Sequence, residues 1–199
     1  MLRTISRTIA GLVLIAAMTG CGLQSIPQAK NKVEAALAET TNQYKRRADL
    51  IPNLVSVVKG YAAHEQETLT AVVEARAKAT QTTIDPGTMD PKKLQEYMAS
   101  QGNLSSALGR LMVVVEKYPD LKADASFRDL SAQLEGTENR ITVARQRYIE
   151  SINEFNNLIT VPPTSFTNSI IYHHEKMPQW TVSDQEKTQI EAAPKVDFK

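Results

Sequence analysis

The sequence predicts an all-α protein, an antiparallel four-helix bundle with long helices. Three observations predict it. Apolar residues recur at steps of three and four over most of the chain. Aromatic residues are only 6%, and the 9 prolines and 8 glycines gather in clusters, a pattern that suits helices better than a sandwich with many turns. With 42% apolar and 23% charged residues, the 199-residue chain is long enough to bury a core of its own.

The first 21 residues predict export. Arg3 and Arg7 precede an apolar run from Ile9 to Met18, the shape of a signal peptide. The run is shorter than the about 20 apolar residues that a spanning helix needs. Met18-Thr19-Gly20-Cys21 then resembles a bacterial lipobox. Small residues let a signal peptidase take the chain in extended form and cut between Gly20 and Cys21. The Cys21 thiol would carry a diacylglyceryl group, and the new amine a further acyl chain such as palmitate. Stable anchoring needs more than one chain, because each buried methylene contributes roughly 0.8 kcal/mol. Cys21 is the only cysteine, so no internal disulfide forms. Gly22 stands where Asp would mark inner-membrane retention, so a host with two membranes would place the protein on the periplasmic face of the outer one. An uncleaved N-terminal anchor is the alternative.

Residues 21–27 form a lipidated tether, and a bundle is expected over 28–162. The first stripe is Val33, Leu37, Thr40, Tyr44 and Ala48. Asp49-Leu50-Ile51-Pro52 predicts a break, because proline lacks an N–H and disfavours helix just before it, and Asp49 suits a cap. A single kinked helix is the other reading. The second stripe is Leu54, Val58, Tyr61, Glu65, Leu69, Val72 and Arg76. Residues 80–91, with two prolines and a glycine, read as a loop. A third stripe runs from Leu94 through Gln101, Leu108 and Val115 to Tyr118, and Pro119 ends it. The fourth is the most regular, from Phe127 to Leu158, with Asp124 or Ser126 as cap and Val161-Pro162-Pro163 as stop. A helix over 125–160 would be about 54 Å long. Helices of this length with narrow stripes and short connections pack as an antiparallel bundle. Residues 163–199 have no strong period and read as an irregular tail.

The charge pattern excludes some functions. The formal charge is +1, with 23 basic and 22 acidic side chains. Losing two of the basic ones, Arg3 and Arg7, leaves 21 against 22, or −1. No basic block remains, which argues against nucleic acid as a partner. His64-Glu65 begins like a zinc-protease motif, but Thr68 stands where the second histidine is required. No Glu-x-x-His pair exists for a di-iron site. His173-His174-Glu175 reads as a solvated turn, and neither a nucleophile elbow nor a phosphate-binding glycine loop is present. No catalytic residue, metal ligand or cofactor is therefore expected. Polar residues on or beside the stripes mark a possible buried or ligand-binding cluster: Arg47, Asn53, Glu65, Arg76, Glu138 and Arg145. Buried charge is costly unless paired, so these side chains are expected to pair across helices and fix register. A groove for an anionic ligand, lined by Arg47, Arg76 and Arg145, is the alternative. Gly60, Gly109 and Gly136 cost roughly 1 kcal/mol each in a helix, and close helix approach is the expected gain.

Two long stretches carry a family resemblance. They are Arg46-Arg47-Ala48-Asp49-Leu50-Ile51-Pro52-Asn53-Leu54-Val55, continued from Val58 to Glu65, and Phe127-Arg128-Asp129-Leu130 on to Ile141. With Ala75-Arg76, Ala144-Arg145, Arg147-Tyr148 and Asn156, they resemble the LemA family over roughly 31–162. The resemblance implies a four-helix antiparallel bundle, N-terminal membrane attachment and exposure outside the cytoplasm. It supplies no catalytic residues. Leu37 departs from the family pattern, where tryptophan is common. The tail lacks the usual aromatic-rich run, although Pro194-Lys195-Val196-Asp197-Phe198 resembles the family's ending. The expected role is a non-enzymatic envelope lipoprotein, an adaptor or scaffold presenting a helical surface to another envelope protein. A binder of a small anionic ligand, or an enzyme using the polar cluster, is the alternative.

Overall fold

The computed structural model describes residues 2–84 and 90–178, with side chains from Gly22 onward. The lipobox side chains, Trp180 and Pro194–Phe198 lie outside the described residues. All regular structure there is helical: α1 (Leu2–Tyr61), α2 (Gln66–Gln81), α3 (Pro91–Val115), α4 (Pro119–Ala123), α5 (Ala125–Thr160), α6 (Thr164–Thr167) and a π-helical turn (Asn168–Tyr172). The long helices form a helix bundle. Two compact units divide the described chain: residues 2–43 with 138–178, and residues 44–84 with 90–137.

The second of these units holds the C-terminal part of α1, all of α2, α3 and α4, and the start of α5. Its core follows the predicted stripes. Ile51, Leu54 and Val58 of α1 meet Leu69 and Val72 of α2, Leu104, Leu108 and Leu111 of α3, Leu121 of α4, and Phe127 and Leu134 of α5. Asp90 caps α3 by accepting from the Lys92 N–H at 2.9 Å, with Pro91 in the first turn. Asp124 caps α5 in the same way, accepting from the Phe127 N–H at 2.9 Å. That N–H, and next the Tyr61 hydroxyl at 3.0 Å, hold the Asp124 carboxyl below its ordinary value.

The predicted break at Asp49–Pro52 is absent. Helix α1 runs through it, and Asp49 sits exposed in the helix instead of capping one. The chain reverses later, over Ala62–Glu65, so the second stripe is divided between α1 and α2. Pro52 cannot donate to the Ala48 carbonyl, its usual helical acceptor. Arg76 supplies the missing donor, its Nε lying 2.8 Å from that oxygen. Helix continuity is thus retained through a side chain of the neighbouring helix. Tyr118 donates to Glu65 at 3.1 Å, and Tyr61 to Asp124, so hydroxyls from both sides fix the true turn.

The other unit pairs residues 22–43 of α1 with residues 138–160 of α5. The two segments run antiparallel, and Lys32 meets Glu154 at 2.8 Å across them. Ile26, Val33 and Leu37 are buried from α1, and Ala144, Tyr148, Ile152 and Phe155 from α5. Burial pushes the Tyr148 hydroxyl up to about 12. The segment expected to tether, 21–27, is helical as well. Pro27 frees the Leu23 carbonyl as Pro52 frees that of Ala48, and the Tyr172 hydroxyl donates to it at 2.7 Å. Gly22 permits the tightest contact: a Cβ there would overlap the Thr167 side chain. Gly60 and Gly109 do not serve close approach, since a Cβ at either would meet nothing within 4 Å.

Candidate functional site

Arg47 is the most enclosed of the six predicted polar residues, at 1% exposure. It leaves α1 toward α3. Its Nη1 donates to the Ser105 hydroxyl at 2.6 Å, and its Nη2 to the Gln101 carbonyl at 3.1 Å and side-chain oxygen at 2.8 Å. The guanidinium also lies 5.0 Å from the centre of the Tyr44 ring, which meets Tyr97 edge-on. Gln101 extends the connection by donating to the Ala79 carbonyl of α2 at 3.1 Å. One arginine and one glutamine therefore link α1, α3 and α2. Such a network fixes register, because a slip of either helix would strand a buried polar group.

Arg76 joins α2 to α1 at Ala48, one residue beyond Arg47, and is partly buried. Arg47 and Arg76 thus serve neighbouring positions of α1. Glu65 lies at the other end of α2, at its N-cap, and takes the Tyr118 hydroxyl. Partial burial and this carboxylate raise Tyr118 above its ordinary 10.0. Asn53 is exposed. Glu138 and Arg145 are partly buried residues of α5 in the other unit, as is the groove of about 310 Å³ lined by Glu39, Asn139, Arg140, Val143, Ala144 and Arg147.

Sequence reasoning missed the acceptors. Gln101 lies on the third predicted stripe, and a glutamine among leucines at helical spacing was the available signal. Ser105 carried none. Two asparagines were also missed as clamps. Asn156 exchanges two hydrogen bonds with the Met177 backbone, at 3.0 and 2.9 Å, and Asn168 exchanges two with the His174 backbone, both at 3.0 Å. They hold residues 173–178 against α5, where His174 stacks on Tyr172 and leans on Phe155. Burial, and next the Lys30 charge, lower the His174 imidazole below its ordinary 6.5.

Among the described residues, no group of three or more His, Cys, Asp and Glu side chains is placed to hold a metal ion. No described helix is long and apolar enough to cross a membrane.

Residues 36–198 match the LemA family profile. The chain is similar to Protein LemA of Metamycoplasma hominis, 27% identical over 162 residues, covering 81% of this chain and 68% of that protein. It is also similar to Magnetosome protein MamQ of Magnetospirillum gryphiswaldense, 25% identical over 173 residues, covering 72% of this chain and 62% of that one. Magnetosome protein MamQ 2 of Paramagnetospirillum magneticum is 27% identical over 143 residues, 61% of this chain and 51% of its own. The chain thus spans about half to two thirds of the curated relatives it matches.

Proposed function

Because this chain belongs to the LemA family, we propose that it is a non-enzymatic envelope lipoprotein, anchored through Cys21, whose helices present a surface to another envelope protein. The observation that carries this reading is the commitment of Arg47. Its Nη1 and Nη2 donate inside the second unit. One of the three arginines that the sequence offered for an anionic ligand therefore works as a cross-link. The outward helix faces are left for recognition.

In-cell crosslinking from Val113 of α3, 68% exposed, tests the adaptor role. One dominant envelope protein captured with the lipidated chain is the expected result. A reproducible turnover abolished by a single polar substitution would overturn it. Labelling with a palmitate analogue tests the anchor, and Cys21→Ser is expected to abolish incorporation. Gly22, standing after Cys21 where Asp would mark retention, favours the outer membrane in a host with two.

The groove beside Arg140 and Arg147 favours a second reading, a site for a small anionic ligand. A thermal-shift panel of anions separates the two. Stabilisation that rises with concentration supports the groove, and a flat panel removes it.

A further inference from the structure

We propose that α6 and the π-helical turn form a membrane-docking surface that seats this end of the protein on the lipid headgroups. The inference rests on the reading that the chain is anchored through its N-terminus. Phe166, Ile170 and Ile171 are 58%, 70% and 50% exposed, and Val161 before them is also exposed. Phe166 and Ile170 stand four residues apart, a spacing that puts them on one face of a helical segment. Large aliphatic and aromatic side chains turned outward so close together are unusual on a surface that meets only water.

The attachment point specifies the occupant. Tyr172, next to Ile171, donates its hydroxyl to the Leu23 carbonyl at 2.7 Å, and Thr167, next to Phe166, lies directly against Gly22. The apolar surface is therefore fixed to the residues that immediately follow Cys21. An acyl anchor on Cys21, or an uncleaved apolar leader, brings this surface to the bilayer. Leu23 is itself 46% exposed.

Charge agrees with that placement. Residues 22–33 and 155–174 contain no Asp or Glu, and two of the carboxylates that border them, Glu34 and Glu154, are paired with Lys30 at 3.8 Å and Lys32 at 2.8 Å. An apolar patch whose own segment carries no carboxylate suits the interfacial region of a bilayer.

The lone cysteine makes a clean test possible. Ile170→Cys in the lipidated full chain offers a single free thiol, because acylation blocks Cys21. It is labelled with an environment-sensitive nitrobenzoxadiazole probe and reconstituted in vesicles of phosphatidylethanolamine with a minority of phosphatidylglycerol. Val113→Cys is the reference. The expected result is a blue-shifted probe at 170, quenched by nitroxide lipids roughly twofold more than at 113, as interfacial burial requires. The triple variant Phe166→Ser, Ile170→Cys, Ile171→Ser, in which only exposed side chains change, should lose that excess and keep its helicity. Equal quenching at both sites overturns the docking surface. A blue-shifted probe at 170 that nitroxide lipids quench no more than the probe at 113 also overturns it, since a second copy or the tail would then be the cover. Mass analysis of the N-terminal peptide tells this failure from failure of the anchor: an unmodified Cys21 in a released chain sinks the anchor, whereas an anchored chain with a wet residue 170 sinks only the docking.

Discussion

Helix α1 carries one proline in each unit, and different donors replace the hydrogen bonds that the prolines remove. At Pro52 the replacement is a cation, the Arg76 guanidinium, reaching the Ala48 carbonyl from within a regular helix. At Pro27 it is a neutral phenol, the Tyr172 hydroxyl, reaching the Leu23 carbonyl from the last residue of a π-helical turn. The same contrast extends across each unit. Residues 44–137 are cross-linked by Arg47 and Arg76, whereas residues 138–178 are held by paired amide bonds from Asn156 and Asn168. A proline inside a helix is ordinarily costly by about 3 kcal/mol or more. These two positions show that part of the cost is an orphaned carbonyl, which a distant side chain can serve.

The contrast predicts a ranking. Arg76→Ala should have the largest effect, a loss of about 1.5–3 kcal/mol, as for hydrogen bonds to charged groups. Pro52→Ala should restore much of it, because the alanine N–H can then reach the Ala48 carbonyl. Urea unfolding of both single variants and the double variant gives the coupling, and purely additive effects would reject the link. Tyr172→Phe should lose less, about 0.5–1.5 kcal/mol, the range for a neutral hydrogen bond. Pro27→Ala should rescue it, and a Tyr172→Phe loss as great as that of Arg76→Ala would erase the distinction between the donors. Gly109→Ala, at an exposed helical position with open space, should stabilise by roughly 0.5–1 kcal/mol. A lower melting temperature would show that α3 uses the glycine.

The smallest effect concerns pH and residues 138–178. The folded state lowers the His174 pKa, so the unfolded chain binds the proton more readily. Stability from this residue is complete above its ordinary 6.5 and declines as pH falls from there through the lower folded value. Hydrogen exchange at the Met177 amide, bonded to Asn156, should report loosening in mild acid after correction for intrinsic rates. His174→Phe keeps a ring beside Phe155 and Tyr172 and should remove this dependence. An unchanged pH profile would assign the loosening to another group.

Legibility in the sequence followed the range of the interactions. Helix α5 was readable to its ends, Ala125 and Thr160, because its stripe is unbroken and its cap, Asp124, is adjacent. The reversal after α1 was not. Pro52 announces a break locally, but the donor that cancels it, Arg76, lies 28 residues beyond the Ala48 carbonyl it serves. The true turn, Ala62-Ala63-His64-Glu65, contains neither proline nor glycine. It is fixed by Tyr118 and Asp124, which come into reach only after folding. Among the site residues, Arg47 was legible because charge beside an apolar stripe demands partners. Which partners could not be read, since Gln101 and Ser105 lie 54 and 58 residues away. The tail's short helices escaped because segments of four and five residues leave no periodic trace.

Gly22 gives the packing at Thr167 a bearing on traffic. Under the proposed anchor it is the second residue of the processed chain, where an aspartate would redirect a lipoprotein to the inner membrane. The same residue must lack a side chain for α1 to approach α6. Under that anchor, destination and packing would be written in one codon, and a mutation that readdressed the protein would also loosen the contact with Thr167. Mislocalised Gly22→Asp protein would reach its new membrane with that contact disturbed, so loss of function there would not by itself identify the compartment in which the protein works.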